Sequence, residues 1–241
     1  MHLLAIDTAT PICGVALAYR GAVEAAVSLD TGQTHTRTIM DTIMSIMRFC
    51  QVGLQQIDGY AVTQGPGSFT GLRIGISTVK GLAMAMDKPV AGVSTLEALA
   101  SQVRPECELI CPMIDARRGE VYWTLFRRHQ GQLTRLSPEQ VGPAEKAVEQ
   151  IDGRCCFIGN GALAYRHTIE PLVHTSCQWV SEDESRLSPA AVARIGWRLF
   201  QSGQSVDPAI FAPVYLRKSD AEINLKNVSV VDIPAENRYF S

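Results

Sequence analysis

Gly65-Pro66-Gly67-Ser68-Phe69-Thr70-Gly71-Leu72-Arg73-Ile74-Gly75 follows a β-rich run, Tyr60-Ala61-Val62-Thr63, and opens a helix expected from about Gly71 to Met86, ahead of a further strand, Val90-Ala91-Gly92-Val93. Strand, glycine loop, helix and strand in that order predict a parallel βαβ unit. Glycine admits a close neighbour, and the unpaired N–H groups at a helix start attract anions. The loop therefore has two readings: an anion site, or a sharp turn into a tightly packed helix. It fits neither standard nucleotide fingerprint. A Walker A loop would need glycine at position 70 and lysine at 71, and the dinucleotide pattern would need its third glycine at 70, where Thr70 stands. Arg73, one turn into the helix, opposes the local dipole and so asks for a carboxylate or phosphate, in this chain or across an interface.

Outward from this unit the pattern extends both ways. Leu3 to Ile6, the turn Asp7-Thr8-Ala9-Thr10-Pro11, Cys13 to Tyr19 and Ala22 to Leu29 read as an antiparallel meander, with a helix from about Thr36 to Cys50 after it. Ser94 and Glu97 have capping-box spacing at the start of another helix. Near Arg104-Pro105-Glu106 the pattern restarts: Leu109 to Ile114, a turn from Asp115 to Glu120, and a return strand from Val121 to Phe126. Two lobes, 1–104 and 105–241, are expected, each opening with strand, Asp-containing turn and return strand, as a degenerate duplication would.

Composition excludes several classes. With 241 residues, 46% of them hydrophobic, the chain can bury a substantial core. Its net charge of −2 and its short Arg117-Arg118 and Arg127-Arg128 pairs give no polyanion footprint, so any nucleic-acid role is expected to belong to a partner. The seven cysteines contain no Cys-X-X-Cys pair, which suits a reducing cytoplasm, and no apolar run approaches the ~18 residues of a membrane span. The histidines, His2, His35, His129, His167 and His174, include no pair four apart that would turn two imidazoles to one helical face, so no metal site is expected. A GxSxG nucleophile elbow is also missing, Ser68 lying in a GSFTG string.

The helix after His35 carries two neighbouring apolar stripes: Ile39, Ile43, Ile46 and Cys50, and beside them Met40, Met44 and Met47. A helix on a sheet needs one. The second is either a further core layer or a surface open to a partner, a use that flexible thioethers suit.

AIDTAT, QGPGSFTGLRIG, GVSTLEALA, IDARRGEVYW, GNGALAY and PVYLR, in this order across almost the whole length, resemble the bacterial TsaB (YeaZ) family. The resemblance implies an α/β, two-lobed actin-like ATPase fold (ASKHA, ribonuclease H-like) with mixed sheets flanked by helices. It also implies a non-catalytic subunit that works with a paralogue, TsaD, and an ATPase, TsaE, in placing threonylcarbamoyl on adenosine 37 of ANN-decoding tRNAs. The first two helices of the first lobe would then bundle with those of TsaD, or with a second copy in a homodimer, through Met40, Ile43, Met44, Met47, Ile74, Thr78 and Leu82. In such a fold, phosphates sit between two acidic hairpin turns. Asp7, Thr8 and Thr10 supply the first, with Gly67, Ser68 and Arg73 near it as a vestigial nucleotide or anion site. The second, Asp115 to Glu120, has the bulk of Arg117 and Arg118 where small residues are needed. No cofactor is therefore expected of the isolated chain, with ATP held only weakly or at the complex interface. The rival readings are an autonomous ATP-binding kinase or ATPase, and a glycoprotease-like peptidase. The tail from Arg217 to Ser241 departs from the family pattern.

Overall fold

Leu3, Leu4, Ala5 and Ile6 are all fully buried. A strand achieves that only where its sheet is covered on both faces. The structure, a computed structural model, describes residues 1–217 except 31, 33, 105 and 174–176. His174, the tail from 218 and its Asn227-Val228-Ser229 sequon lie outside the described residues. The elements in the first segment are β1 (His2–Asp7), β2 (Cys13–Tyr19), β3 (Ala22–Leu29), α1 (His35–Phe49), β4 (Ile57–Gly65), α2 (Phe69–Met86), β5 (Val90–Ser94) and α3 (Thr95–Gln102). They build one sheet in the order β3-β2-β1-β4-β5, in which β1, β2 and β3 form the antiparallel meander and β1, β4 and β5 run parallel.

The second segment holds β6 (Leu109–Arg117), β7 (Glu120–Trp123), β8 (Phe126–His129), β9 (Gln132–Arg135), β10 (Gln140–Pro143), α4 (Ala144–Val148), β11 (Cys155–Ile158), α5 (Asn160–Ala164), α6 (Arg166–Ile169), β12 (Gln178–Trp179) and α7 (Pro189–Gln201). Its main path, β10-β7-β6-β11-β12, repeats the first sheet strand for strand: two antiparallel pairings on one side of the central strand, two parallel ones on the other. The two sheets thus share one strand topology, with the β8–β9 hairpin added against β6. This is the two-lobed actin-like arrangement.

Alternation along β1 sends Leu3 and Ala5 to one core, Leu4 and Ile6 to another. The Leu4 side is closed by α1 and α2 through Ile39, Ile43, Ile46, Leu72, Ile76 and Val79. The Leu3 side is closed by α3 and α7, whose Leu96, Leu99, Val192 and Ile195 also meet Ile110, Ile114 and Ile158 of the second sheet. In space, then, the first lobe also takes in α7, from near the end of the described chain. The Ser94 hydroxyl accepts from the Glu97 N–H at 3.1 Å, but the Glu97 carboxylate pairs with Arg198 of α7, so the expected capping box is half made.

After α7 the chain returns as a strap. Lys80 Nζ donates to the carbonyls of Ala209 and Phe211, at 3.2 and 2.9 Å, and the Val214 N–H donates to the Gln64 carbonyl at 2.8 Å. The Tyr215 ring stacks on Phe69 with centroids 4.7 Å apart, and Arg217 donates to the Ala116 carbonyl at 2.8 Å and pairs with Glu120. Five residues from Gln64 to Glu120, two of them in the second lobe, are held by nine residues of strap.

Candidate functional site

Two surfaces are candidates: the cleft between the lobes and the outer face of α1 and α2. The cleft encloses about 330 Å³ and is lined by the first turn (Ala9, Thr10, Pro11), the glycine loop (Gly67, Ser68), the second turn (Asp115 to Arg118), Asn160 and the strap. Thr10, Gly67 and Ser68 thus line the same cleft. Asp7 and Thr8 do not: both have no exposed surface. One Asp7 oxygen, Oδ1, accepts from the Ala9 N–H at 2.9 Å and the Thr63 hydroxyl at 2.8 Å, and Oδ2 has no partner among the described residues. The Thr8 hydroxyl donates to the Gly71 carbonyl at 2.8 Å.

The physical reason lies in the glycine loop. A Cβ placed at Gly71 would fall well inside contact distance of the Thr8 carbonyl oxygen, one at Gly75 would meet the Thr8 hydroxyl, and one at Gly67 the Ala9 carbonyl. The Ser68 N–H bonds the Ala9 carbonyl at 2.8 Å, and the Ser68 hydroxyl caps α2 by accepting from the Gly71 N–H at 3.2 Å. The glycines therefore let the helix start lie backbone to backbone on the first turn, where a cradle would need open space. Of the two readings of the loop, close packing is the one the geometry supports, and Asp7, sealed behind it, does not fit the role of a phosphate or metal carboxylate. The Ser68 hydroxyl is engaged as the cap of α2.

In the second turn Arg117 and Arg118 adopt left-handed φ of 65° and 57°, leading to Gly119. Such φ is costly for branched or long side chains and is kept here by the hairpin. Arg117 lies 4.0 Å from Asp115, largely in solvent. Arg73 is on neither turn; its guanidinium lies over the Phe69 ring, 5.3 Å from the centroid, and among the described residues it has no carboxylate. Sequence reasoning assigned no role to Asn160, whose side chain accepts from the Asp115 N–H at 3.1 Å, or to the Tyr215–Phe69 stack that closes the cleft. The GNG and PVYLR strings were the available signal.

Burial raises the Asp7 carboxyl to about 6, the two hydrogen bonds opposing the shift. The folded protein holds this proton more tightly than the unfolded chain, so stability gained from it is present at low pH and falls as pH rises from about 4 through about 6. Two pK units correspond to about 3 kcal/mol. Asp7→Asn keeps an acceptor for Ala9 and Thr63 and removes this dependence. Urea unfolding at pH 5 and pH 8 is expected to show the wild type losing stability relative to the variant at the higher pH; parallel curves would reject the assignment.

On the outer face, Met40 and Met44 are each 42% exposed, whereas Ile43 is 0% and Met47 4% exposed. Ile43 and Met47 belong to the core under α1 rather than to its surface. A 100° step per residue puts Met47 roughly 20° nearer the Ile43 stripe than Met40, enough to tuck it under the helix. On α2, Ile74, Thr78 and Leu82 share one stripe and are half-buried, and a shallow groove between the helix starts is lined by Thr36, Thr70, Arg73, Ile74, Ser77 and Thr78. Among the described residues no three His, Cys, Asp or Glu side chains cluster as metal ligands would, and no helix is long and apolar enough to cross a membrane.

Residues 29–225 match the family model described as "TsaD: tRNA N6-adenosine threonylcarbamoyltransferase". The Escherichia coli (strain K12) "tRNA threonylcarbamoyladenosine biosynthesis protein TsaB" is 35% identical over 232 residues, covering 92% of this chain and 96% of that protein. The Bacillus subtilis (strain 168) protein of the same name is 31% identical over 225 residues, with the same coverage. Among solved structures, "YeaZ from Pseudomonas aeruginosa" superposes with a TM-score of 0.78 at 30% identity, over 89% of this chain and 99% of that one.

Proposed function

This chain belongs to the TsaB family, and from that membership we propose that it is the non-catalytic subunit that binds and activates a TsaD transferase, together with the ATPase TsaE, in forming N6-threonylcarbamoyladenosine at position 37 of ANN-decoding tRNAs. The observation that carries this reading is the outer face of the helix pair: Met40 and Met44 stand outward on α1, and α1 packs against α2, which carries the half-buried stripe Ile74, Thr78 and Leu82. Soft apolar side chains on two adjacent helices suit docking to another helix pair. Met40 and Met44 make direct contact in this proposal, and Ile43 and Met47 hold α1 to the sheet beneath them. The same face would serve a homodimer, and tRNA would be reached only through the complex.

The sealing of Asp7 and Thr8 speaks against an autonomous ATPase, and the capping role of Ser68 against a peptidase built on that residue. ATP, if it enters, would do so at the interface with a partner. The test is reconstitution in the cytoplasm's own terms: transferase, TsaE, threonylcarbamoyl-AMP, ATP and substrate tRNA, with and without this chain, reading modified adenosine by mass spectrometry. Addition is expected to raise the yield at least tenfold. An unchanged yield, with all other components active, would reject the proposal.

A further inference from the structure

Cys107, Cys111, Cys155, Cys156 and Cys177 all lie in or beside the second sheet, sorted between its two faces. Cys155 and Cys156 are successive in β11, so their side chains leave it on opposite sides. Cys155 joins Cys111 and Cys177 in the core that holds α4, while Cys156 joins the core closed by α3 and α7. Cys107, in the linker from α3 to β6, packs against that second core. Its thiol donates to the Gln178 side-chain oxygen at 2.9 Å. Gln178 is the register partner of Cys156 on the parallel neighbour β12, so both side chains stand on one face. The contact to Gln178 therefore brings Cys107 over Cys156, and the two thiols interact as hydrogen-bond partners. Both line two cavities, of about 580 and 800 Å³, that flank the pair. A small hydroperoxide has room in either, since a water occupies only ~30 Å³. Burial pushes the Cys156 thiol up to about 12, Cys107 adding to the rise and Arg128 and Arg154 opposing it. Cys156 thus keeps its proton near neutral pH, and the half-buried Cys107 is the sulfur that meets an oxidant first.

We infer that Cys107 and Cys156 form a reversible oxidation site, a dithiol that hydrogen peroxide or another small hydroperoxide converts to a disulfide. The Cys107 thiolate attacks one peroxide oxygen: the S–O bond forms, the O–O bond breaks, and the other oxygen takes the thiol's proton and leaves as water or alcohol. Sulfur loses two electrons and the peroxide gains them. The Cys156 sulfur then attacks the sulfenic sulfur of Cys107. The S–S bond forms, the S–O bond breaks, and the departing hydroxide leaves as water with the Cys156 proton. The product ties the linker to β11. Arg128 already holds this linker from the same side of the chain, donating to the Arg104 carbonyl at 2.8 Å and the Ala100 carbonyl at 3.0 Å. The site is separate from the outer face of α1 and α2 and does not depend on what docks there.

The experiment exposes the full reduced chain to a molar excess of hydrogen peroxide, blocks the remaining thiols with N-ethylmaleimide and maps disulfides in non-reduced peptides by mass spectrometry. A crosslink between positions 107 and 156 is expected as the main disulfide, and dithiothreitol is expected to remove it. Cys107→Ser, at a half-buried position that tolerates a polar atom, is expected to abolish the crosslink without creating another. In Cys156→Ala the crosslink is lost and the sulfenic acid at Cys107, trapped with dimedone, rises about fivefold, because nothing resolves it. A main disulfide through Cys177, wild-type oxidation that runs on to sulfinic acid at Cys107, or an absence of oxidation at both positions overturns the inference.

Discussion

Gly71→Ala is expected to destabilise the protein by about 3 kcal/mol or to prevent its folding, while Gly81→Ala, ten residues on in the same helix, is expected to stabilise it by about 1 kcal/mol. The substitution is chemically identical and both sites lie in α2. At Gly81 nothing approaches within 4 Å of the added methyl, so only the helix preference of alanine is felt. At Gly71 the methyl is driven into the Thr8 carbonyl, which belongs to backbone and cannot turn aside. The helix start would have to lift, weakening the Thr8–Gly71 and Ser68–Ala9 hydrogen bonds together. Urea denaturation of both variants reads the sign directly, and a stable Gly71→Ala protein with wild-type unfolding would mean that the loop does not pack on the first turn.

Met44→Asp is expected to weaken binding to the transferase at least 100-fold, about 3 kcal/mol, without unfolding the protein. Burying a methionine side chain contributes roughly 1.5 to 3 kcal/mol before association costs, and a carboxylate in its place would also be stripped of water against an apolar partner. The free protein tolerates the change because position 44 is already 42% exposed and the new carboxylate faces Arg48 one turn on. Met47→Asp is not an equivalent test, since its charge would enter the core and unfold α1. Phe49, 80% exposed on the other side of α1, supplies the control: Phe49→Ser should bind as wild type does. Loss of binding in both variants would point to general damage, and loss in neither would move the interface elsewhere.

The contrast between Met44 and Met47 shows where sequence legibility ends. The succession of strands along the first segment, the two-lobed architecture and the existence of α1, α2 and α3 follow from short apolar runs, punctuating glycines and helical periodicity, all of them local signals. Which methionine faces out depends on a fraction of a helical turn and on how α1 lies on its sheet. Asp7, Thr8 and Thr10 are neighbours in sequence, yet the first two are sealed and the third lines the cleft, because α2 closes from more than sixty residues away. The strap gave least warning. Val214, Tyr215 and Arg217 act through a backbone hydrogen bond, a ring stack and a guanidinium bond to a carbonyl, none of which leaves a periodic trace.

The placement of α7 has a consequence for how the protein is made. Leu3, Ala5, Ala16 and Ala61 present one apolar face of the first sheet, and of the two helices that close it, α7 begins only at Pro189. A ribosome adds roughly 5–20 residues per second, so once β5 has emerged that face waits on the order of ten seconds for its cover. During synthesis the nascent first half is thus a half-roofed sheet with an apolar face open to solvent, and emergence of α7 is what shuts it.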